Sequence, residues 1–304
     1  MTGKSPLLAV IGATASGKSA LALEIAYKTG AEILSVDSMQ IYRGMDVGTA
    51  KATIAQRKQT PHHLIDVANP DEVFSVAKFV ERADEVIAGA QSRLVATGGT
   101  PMYFRALFAG LFEGPPADEK LREKLRGIPG DELHAQLAKV DPEAARRIHP
   151  RDSKRLVRAL EVHELTGKPI SAMQQQWNDN SPPRHRAVWV GLRWDRDALN
   201  MRINARVREM IAAGWVEEVR ELLRKYPALS KTAAEATGYA QLIEYLAGRA
   251  TLDDAVEQIK IATRQLARRQ MKWFRRFPNV HWLEGAQPLE KNVQRAIELW
   301  NGAA

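Results

Sequence analysis

A continuous apolar run, Leu7–Ile11, stands near the start of the chain, with no polar position to mark a solvated side. Such a run predicts a strand buried on both faces, as in a parallel sheet. A glycine-bearing stretch follows, then a predicted helix from about Lys18 to Lys28, and Ala31–Val36 predicts a second strand. From Asp71 to Ala90 the apolar residues Val73, Val76, Ala77, Val80, Ala83, Ile87 and Ala90 keep helical spacing, with Asp71 placed to cap the helix. Leu94–Thr97 predicts a third short strand ending at Gly98-Gly99. Strands alternating with helices predict an α/β fold, a parallel sheet with helices on both faces.

The pattern changes near Gly114-Pro115-Pro116. From there to about Asn180 only charged helical segments are predicted, and Asn180-Ser181-Pro182-Pro183 closes the stretch. Pro-rich turns on either side of an all-helical block predict an insertion, residues 114–184, into a core of residues 1–113 and 185–304. Ala187–Trp194 returns to strand. Long helices are expected over Asp195–Phe277, broken around Tyr226-Pro227 and Gly248, then a strand at Val280–Leu283 and a last helix at Leu289–Trp300.

Gly12-Ala13-Thr14-Ala15-Ser16-Gly17-Lys18-Ser19 matches G-x-x-x-x-G-K-[ST] in full, between a predicted strand and a predicted helix. Glycines let backbone N–H groups turn around phosphate oxygens, and the helix N-terminus adds partial positive charge. In this motif Lys18 reaches a phosphate and the Ser19 hydroxyl binds Mg²⁺. The fold expected is therefore a P-loop NTPase-like parallel sheet flanked by helices, with an all-helical insertion. The loop names a ligand group and leaves the reaction open, since kinases and other nucleotide or diphosphate users share it. ATP and another diphosphate both remain candidates at this point.

Asp37-Ser38-Met39-Gln40 follows the second strand, and Gly98-Gly99-Thr100 ends the third. In a doubly wound sheet, ligands sit beyond the carboxyl ends of the strands, so both segments are expected to face the phosphate loop. Asp37 is a candidate general base or a turn-forming residue. Thr100 is a candidate for binding a nucleophile or phosphate, or for capping a helix.

Composition adds little until its charges are placed. The 304 residues are 45% hydrophobic and 26% charged, ample for a core, and no apolar run approaches the ~20 residues that cross a bilayer. The chain start lacks the pattern of an export signal. Without cysteine there is no disulfide or thiolate zinc site, which suits the cytoplasm. The adjacent His62 and His63 are not expected to bind metal. A net charge of +8 indicates either solubility or a polyanionic partner. Lys260, Arg264, Arg268, Lys272 and Arg276 recur every fourth residue, with no acid between the first and the last. On a helix they form a basic stripe beside a core face of Ile259, Ala262, Leu266, Trp273 and Phe277, the arrangement of a helix lying along a phosphate backbone.

Longer segments carry a resemblance. GATASGKS is followed by DSMQIYRGMDVGTAK from Asp37 to Lys51, PHHLID from Pro61 to Asp66 and GGTPMYFRAL from Gly98 to Leu107. Later come RIHPRDSKRLVRALEV from Arg147 to Val162, TGKPIS from Thr166 to Ser171 and ATRQLARRQMKWFR from Ala262 to Arg275. In order, over nearly the whole chain, these segments resemble the tRNA dimethylallyltransferases, also called tRNA isopentenyltransferases. Ala13 and Ala52 stand where that family usually has proline, Pro101 replaces Gly or Met, and Ala240 follows Gly238-Tyr239 where a basic residue is common.

The resemblance implies transfer of a dimethylallyl group from dimethylallyl diphosphate to the N6 amine of the adenine 3′ of the anticodon in tRNA. It implies that Gly12, Ala13, Thr14, Ala15, Ser16, Gly17, Lys18 and Ser19 hold the diphosphate with Mg²⁺, and that Asp37 and Thr100 serve the adenine amine. Arg202 and Arg206, one helical turn apart, are candidates for a diphosphate clamp or solvated helix residues. Expected tRNA contacts are Asp37, Ser38, Met39, Gln40, Tyr103, Arg122, Gln174, Gln175, Gln176, Gly238, Tyr239, Arg264, Arg268, Arg269, Gln270, Lys272, Trp273 and Arg275. The anticodon stem-loop is the expected partner, and the enzyme is expected to be a cytoplasmic monomer. A kinase using ATP, and a non-catalytic RNA-binding protein using the loop as a switch, are the alternatives from other classes.

Overall fold

Strand Leu7–Gly12 (β1) pairs in parallel on one side with Leu94–Thr97 (β4) and on the other with Ala187–Arg193 (β5). Glu32–Ser35 (β2) extends the sheet beyond β4, His62–His63 (β3) borders β2, and Val280–Glu284 (β6) borders β5. Among the described residues the sheet has six strands in the order β3-β2-β4-β1-β5-β6. This computed structural model describes residues 5–112, 114–174 and 182–303.

The unbroken apolar run of β1 follows from burial on both sides. Leu7, Ala9 and Ile11 join a core with Leu34, Ala96, Phe79, Phe104 and Phe274. Leu8 and Val10 point the other way and pack with Leu21, Ile25, Val190 and Trp300. Helices Val76–Gly89 and Pro101–Ala109 supply the first layer, Lys18–Thr29 and Leu289–Asn301 the second. The period of two along the strand thus divides one apolar run between two cores. Trp300 donates its indole N–H to the Pro6 carbonyl at 2.7 Å, tying the last helix to the entry of β1.

The helix expected to start at Asp71 starts five residues later. Its cap is Ser75, whose hydroxyl accepts from Lys78 N–H at 3.2 Å, and Val73, expected on the core face, is 74% exposed. Helical spacing continued by chance into the turn before the cap. The helical stretch after β5 also breaks more often than expected. Arg196–Ala212, Trp215–Lys225, Lys231–Ala234, Tyr239–Leu246 and Leu252–Phe274 are separate helices, with left-handed Gly214 starting the second. They share a core of Tyr42, Val207, Trp215, Tyr239, Leu242 and Ile259.

The chain divides into two compact units, residues 109–184 and the remainder. The smaller unit is helical among its described residues and has its own core of Leu125, Leu133, Leu137, Leu156 and Leu160. Its buried Glu161 is satisfied by the Asp118 N–H, Arg122 and Arg158, which hold its carboxyl below the usual range against the cost of burial. No helix among the described residues is long and apolar enough to cross a membrane.

Candidate active site

All strands run parallel, so the segments after β1, β2 and β4 emerge at one edge of the sheet. After β1, Gly17 at φ 92° turns the chain into the helix that starts at Lys18. Lys18 is buried and donates to the Ala13 carbonyl at 3.3 Å. Burial first, then the neighbouring Arg206, lower its pKa from 10.5 to about 8, while Asp37 acts in the opposite direction. Arg206 is itself lowered by burial. Arg202 donates from Nε to the Ala15 carbonyl at 2.9 Å. Lys18, Arg202 and Arg206 line a cavity of about 340 Å³ together with Gly17, Ser19 and Glu209. Cations buried this close together, with Arg206 lowering Lys18 and Arg202 lowering Arg206 in addition to the effect of burial, make a site that favours a bound anion. In the same loop the Ser16 hydroxyl is buried without a hydrogen-bond partner.

Ser19 is exposed on the cavity wall. No group of three or more His, Cys, Asp or Glu able to hold a metal occurs among the described residues. A divalent cation would therefore draw one oxygen from Ser19 and most of the rest from a bound diphosphate and water. That donor set fits Mg²⁺, which keeps waters and rides with phosphates.

Asp37 follows β2 and is half-buried. Its Oδ1 accepts from the N–H groups of Met39 at 2.9 Å and Gln40 at 3.4 Å, and its Oδ2 from Gly99 at 3.3 Å. Asp37 therefore organises its own turn, and Oδ2 keeps an acceptor position for a further donor. Thr100 accepts from the Ser38 N–H at 2.9 Å and donates to the Ser38 hydroxyl at 3.1 Å. Gly98 and Gly99 permit this approach. A Cβ on Gly98 would stand 2.0 Å from the Val36 carbonyl oxygen, and one on Gly99 3.2 Å from Asp37 Oδ2 and 3.9 Å from Lys18 Nζ. Gly99 thus lies between the candidate base and the candidate phosphate lysine.

The IPP transferase family model matches residues 40–277. This chain belongs to the IPP transferase family. It is 46% identical to a tRNA dimethylallyltransferase of Geobacter metallireducens, over 92% of this chain and 93% of that one. It is 47% identical to one of Symbiobacterium thermophilum, over 97% and 93%. Among solved structures it resembles the tRNA isopentenylpyrophosphate transferase of Bacillus halodurans, with a TM-score of 0.73 at 35% identity, covering 99% of this chain and 97% of that one. A eukaryotic dimethylallyltransferase acting on tRNA matches with a TM-score of 0.83 at 25% identity, over 97% and 78%. The sheet and its phosphate loop are accordingly those of a P-loop NTPase-like fold.

For this member of the IPP transferase family, several residues expected on the RNA surface lie elsewhere. Tyr103 is buried and stacks on Phe79 with centroids 4.2 Å apart. Tyr239 is buried, donates to Glu218 at 2.6 Å and meets Trp215 edge-on. Gly238, at φ 93°, sits where a Cβ would come within 2.0 Å of the Trp215 ring. These are packing positions: an aromatic or glycine pattern reads alike in a core and on a stacking surface. Arg122 is committed to Glu161. Gln40 is half-buried, donating to the Thr49 carbonyl at 3.2 Å and accepting from the Ser35 hydroxyl at 3.0 Å.

The basic helix Leu252–Phe274 is rotated from the expected register. Ile259, Ala267, Gln270 and Phe274 are buried, whereas Ala262, Leu266, Trp273 and Phe277 are only half-buried. Arg264 is half-buried and donates to Asn204 at 2.8 Å, and Lys260 pairs with Glu257 at 2.6 Å. Arg268, Arg269, Lys272, Arg275 and Arg276 are exposed, and no acid among the described residues is paired with them. Gln270 faces inward. It accepts from the Thr14 N–H at 2.8 Å and donates to the Gly99 carbonyl at 2.6 Å. The spacing of Gln270 with Ala267 and Phe274 was the signal that it belongs to the core face. Ser38, Met39 and Gln174 are half-buried, and Gln175 and Gln176 lie outside the described residues. Trp194 carried no sequence signal, yet it donates to the Ser16 carbonyl at 2.9 Å.

Proposed function

We infer that this chain transfers a dimethylallyl group from dimethylallyl diphosphate to the N6 amine of the adenine 3′-adjacent to the anticodon in tRNA, releasing diphosphate. The observation that carries the reading is the convergence of Lys18, Asp37 and Thr100 around Gly99 in a chain of the IPP transferase family. A kinase would use the same loop and could use the same carboxylate; membership of the IPP transferase family favours prenyl transfer over phosphoryl transfer.

In the reaction the C1–O bond of the allylic diphosphate breaks and a C1–N6 bond forms. The amine loses its proton to Asp37, and Thr100 orients the nitrogen. An exocyclic amine is a weak nucleophile, so holding it against C1 matters as much as removing the proton. Lys18, Arg202, Arg206 and the loop N–H groups stabilise charge growing on the departing diphosphate. Ser19 would hold Mg²⁺ together with the diphosphate, and the ion would supply further charge neutralisation when bound.

The target adenine must leave its stack to reach Asp37, which suits a base in a loop. Arg268, Arg269, Lys272 and Arg275 hold the RNA backbone, with Ser38 and Met39 beside the target base. We place the enzyme in the cytoplasm, as a monomer. The test is mass analysis of nucleosides from tRNA incubated with the protein and dimethylallyl diphosphate. A prenylated adenosine appearing with that donor, and no phosphorylated product with labelled ATP, supports the reading. Phosphoryl transfer without prenylation overturns it.

A further inference from the structure

The Gly99 peptide is held from both ends. Its N–H donates to Asp37 Oδ2 at 3.3 Å, and its carbonyl accepts from Gln270 Nε2 at 2.6 Å. The other end of the same Gln270 amide accepts from the Thr14 N–H at 2.8 Å. An unbroken hydrogen-bonded path therefore runs from Asp37 through Gly99 and Gln270 into the phosphate loop. Gln270 is buried, so both of its polar atoms need partners inside the protein. The contact is tight: a Cβ on Gly99 would stand 2.8 Å from Gln270 Nε2. A side-chain amide donates from one end and accepts at the other in a fixed plane, as the two contacts require.

We propose that Gln270 is a positioning residue that sets the spacing between Asp37 and the phosphate loop, and thus between the amine and the allylic carbon. It does so from the helix whose outer face carries Arg268, Arg269 and Lys272, so the group that spaces the two loops is built into the proposed RNA-docking helix. The inference rests on the proposed function for its catalytic consequence. The clamp itself is a property of the free protein.

Gln270→Met keeps the shape and removes both hydrogen bonds. Gln270→Glu keeps the acceptor for Thr14 and loses the donor to Gly99. Hydrogen exchange of the free proteins is measured over residues 12–19 and 97–100, beside the kinetics of prenyl transfer. In Gln270→Met both segments should exchange at least ~10-fold faster. Its kcat should fall about 10²-fold with both KM values within threefold, the size expected when reacting groups are misplaced by about 1 Å. In Gln270→Glu the 97–100 segment should loosen more than the phosphate loop, an asymmetry that general destabilisation does not produce. Gln270→Glu also carries the test if the Met variant fails to fold. Parental exchange in both segments, or parental kcat in a variant with faster exchange, overturns the inference. If the parent forms no prenylated nucleoside, the proposed function fails, and the exchange data still decide whether the clamp exists.

Discussion

The guanidinium of Arg202 lies 4.4 Å from the centre of the Trp194 ring, and the two side chains hold neighbouring carbonyls of the phosphate loop. Arg202 takes that of Ala15 and Trp194 that of Ser16, both at 2.9 Å. A trans peptide places its N–H opposite its C=O, so fixing the Ser16 carbonyl also aims the Gly17 N–H away from Trp194. Ala15, a non-glycine residue at φ 62°, keeps its left-handed conformation in this setting.

Trp194→Phe keeps a ring for Arg202 and removes the N–H. One net hydrogen bond is worth about 1 kcal/mol. The KM for dimethylallyl diphosphate is expected to rise roughly fivefold, with kcat nearly unchanged and tRNA affinity unaltered. Steady-state kinetics at saturating tRNA check this; an unchanged KM would mean that the loop holds its shape without Trp194.

Asp37→Asn should lower turnover by ~10²–10⁴ while tRNA affinity stays within a few-fold. It should also cost stability. The carboxylate accepts three backbone N–H groups, and an amide must set its NH₂ against one of them. A loss of about 1–3 kcal/mol in denaturant unfolding is expected. Near-parental turnover would remove Asp37 from the chemistry.

Lys18 gives two pH-dependent outcomes. Its folded pKa, about 8, lies below its ordinary value of 10.5. Below pH 8 both folded and unfolded states carry the charge, so the cost of burying it is fully present; that cost is relieved as pH rises from 8 towards 10.5. Without ligand, Lys18→Met should therefore melt higher than the parent at pH 7, with the difference shrinking towards pH 10.5. A bound diphosphate restores the charge, so binding above pH 8 should take up a proton in the parent and not in Lys18→Met. Calorimetry in buffers of different ionisation enthalpy reads the uptake directly.

Replacing Arg268, Arg269 and Lys272 together with Gln should weaken tRNA binding without changing which adenine is modified, since phosphate contacts position and base contacts specify. The slope of log affinity against log salt should flatten by ~0.7–0.9 for each phosphate that the variant no longer neutralises. Arg264→Gln should leave the slope nearly parental, because Arg264 is already hydrogen-bonded to Asn204. Equal slopes for the triple variant and the parent would take this helix face out of the RNA interface.

The sequence by itself determined five of the six described strands and the phosphate loop; the two-residue edge strand His62–His63 has no apolar run to mark it. Leu7–Ile11, Leu94–Thr97 and GATASGKS are local in their physics: a doubly buried strand must be apolar throughout, and a phosphate turn must carry its glycines at fixed spacing. The family was legible for the same reason, because its segments are short and contiguous. Tertiary structure alone decided which face of the basic helix turns inward. A modest rotation about the helix axis buries Gln270 and leaves Leu266 half-exposed, and that angle is fixed by packing: Ala267 against Ala13, Ala15 and Ile203, with Ile259 and Phe274 seated in two further cores. It also decided that Tyr103 and Tyr239 are core, since an aromatic ring offers the same apolar area to a neighbouring side chain as to a base. The path from Asp37 through Gly99 and Gln270 to Thr14 joins residues as much as 256 positions apart. Hydrogen bonds over such separations leave no periodicity in the chain, and they exist only once the sheet has brought its strand ends together.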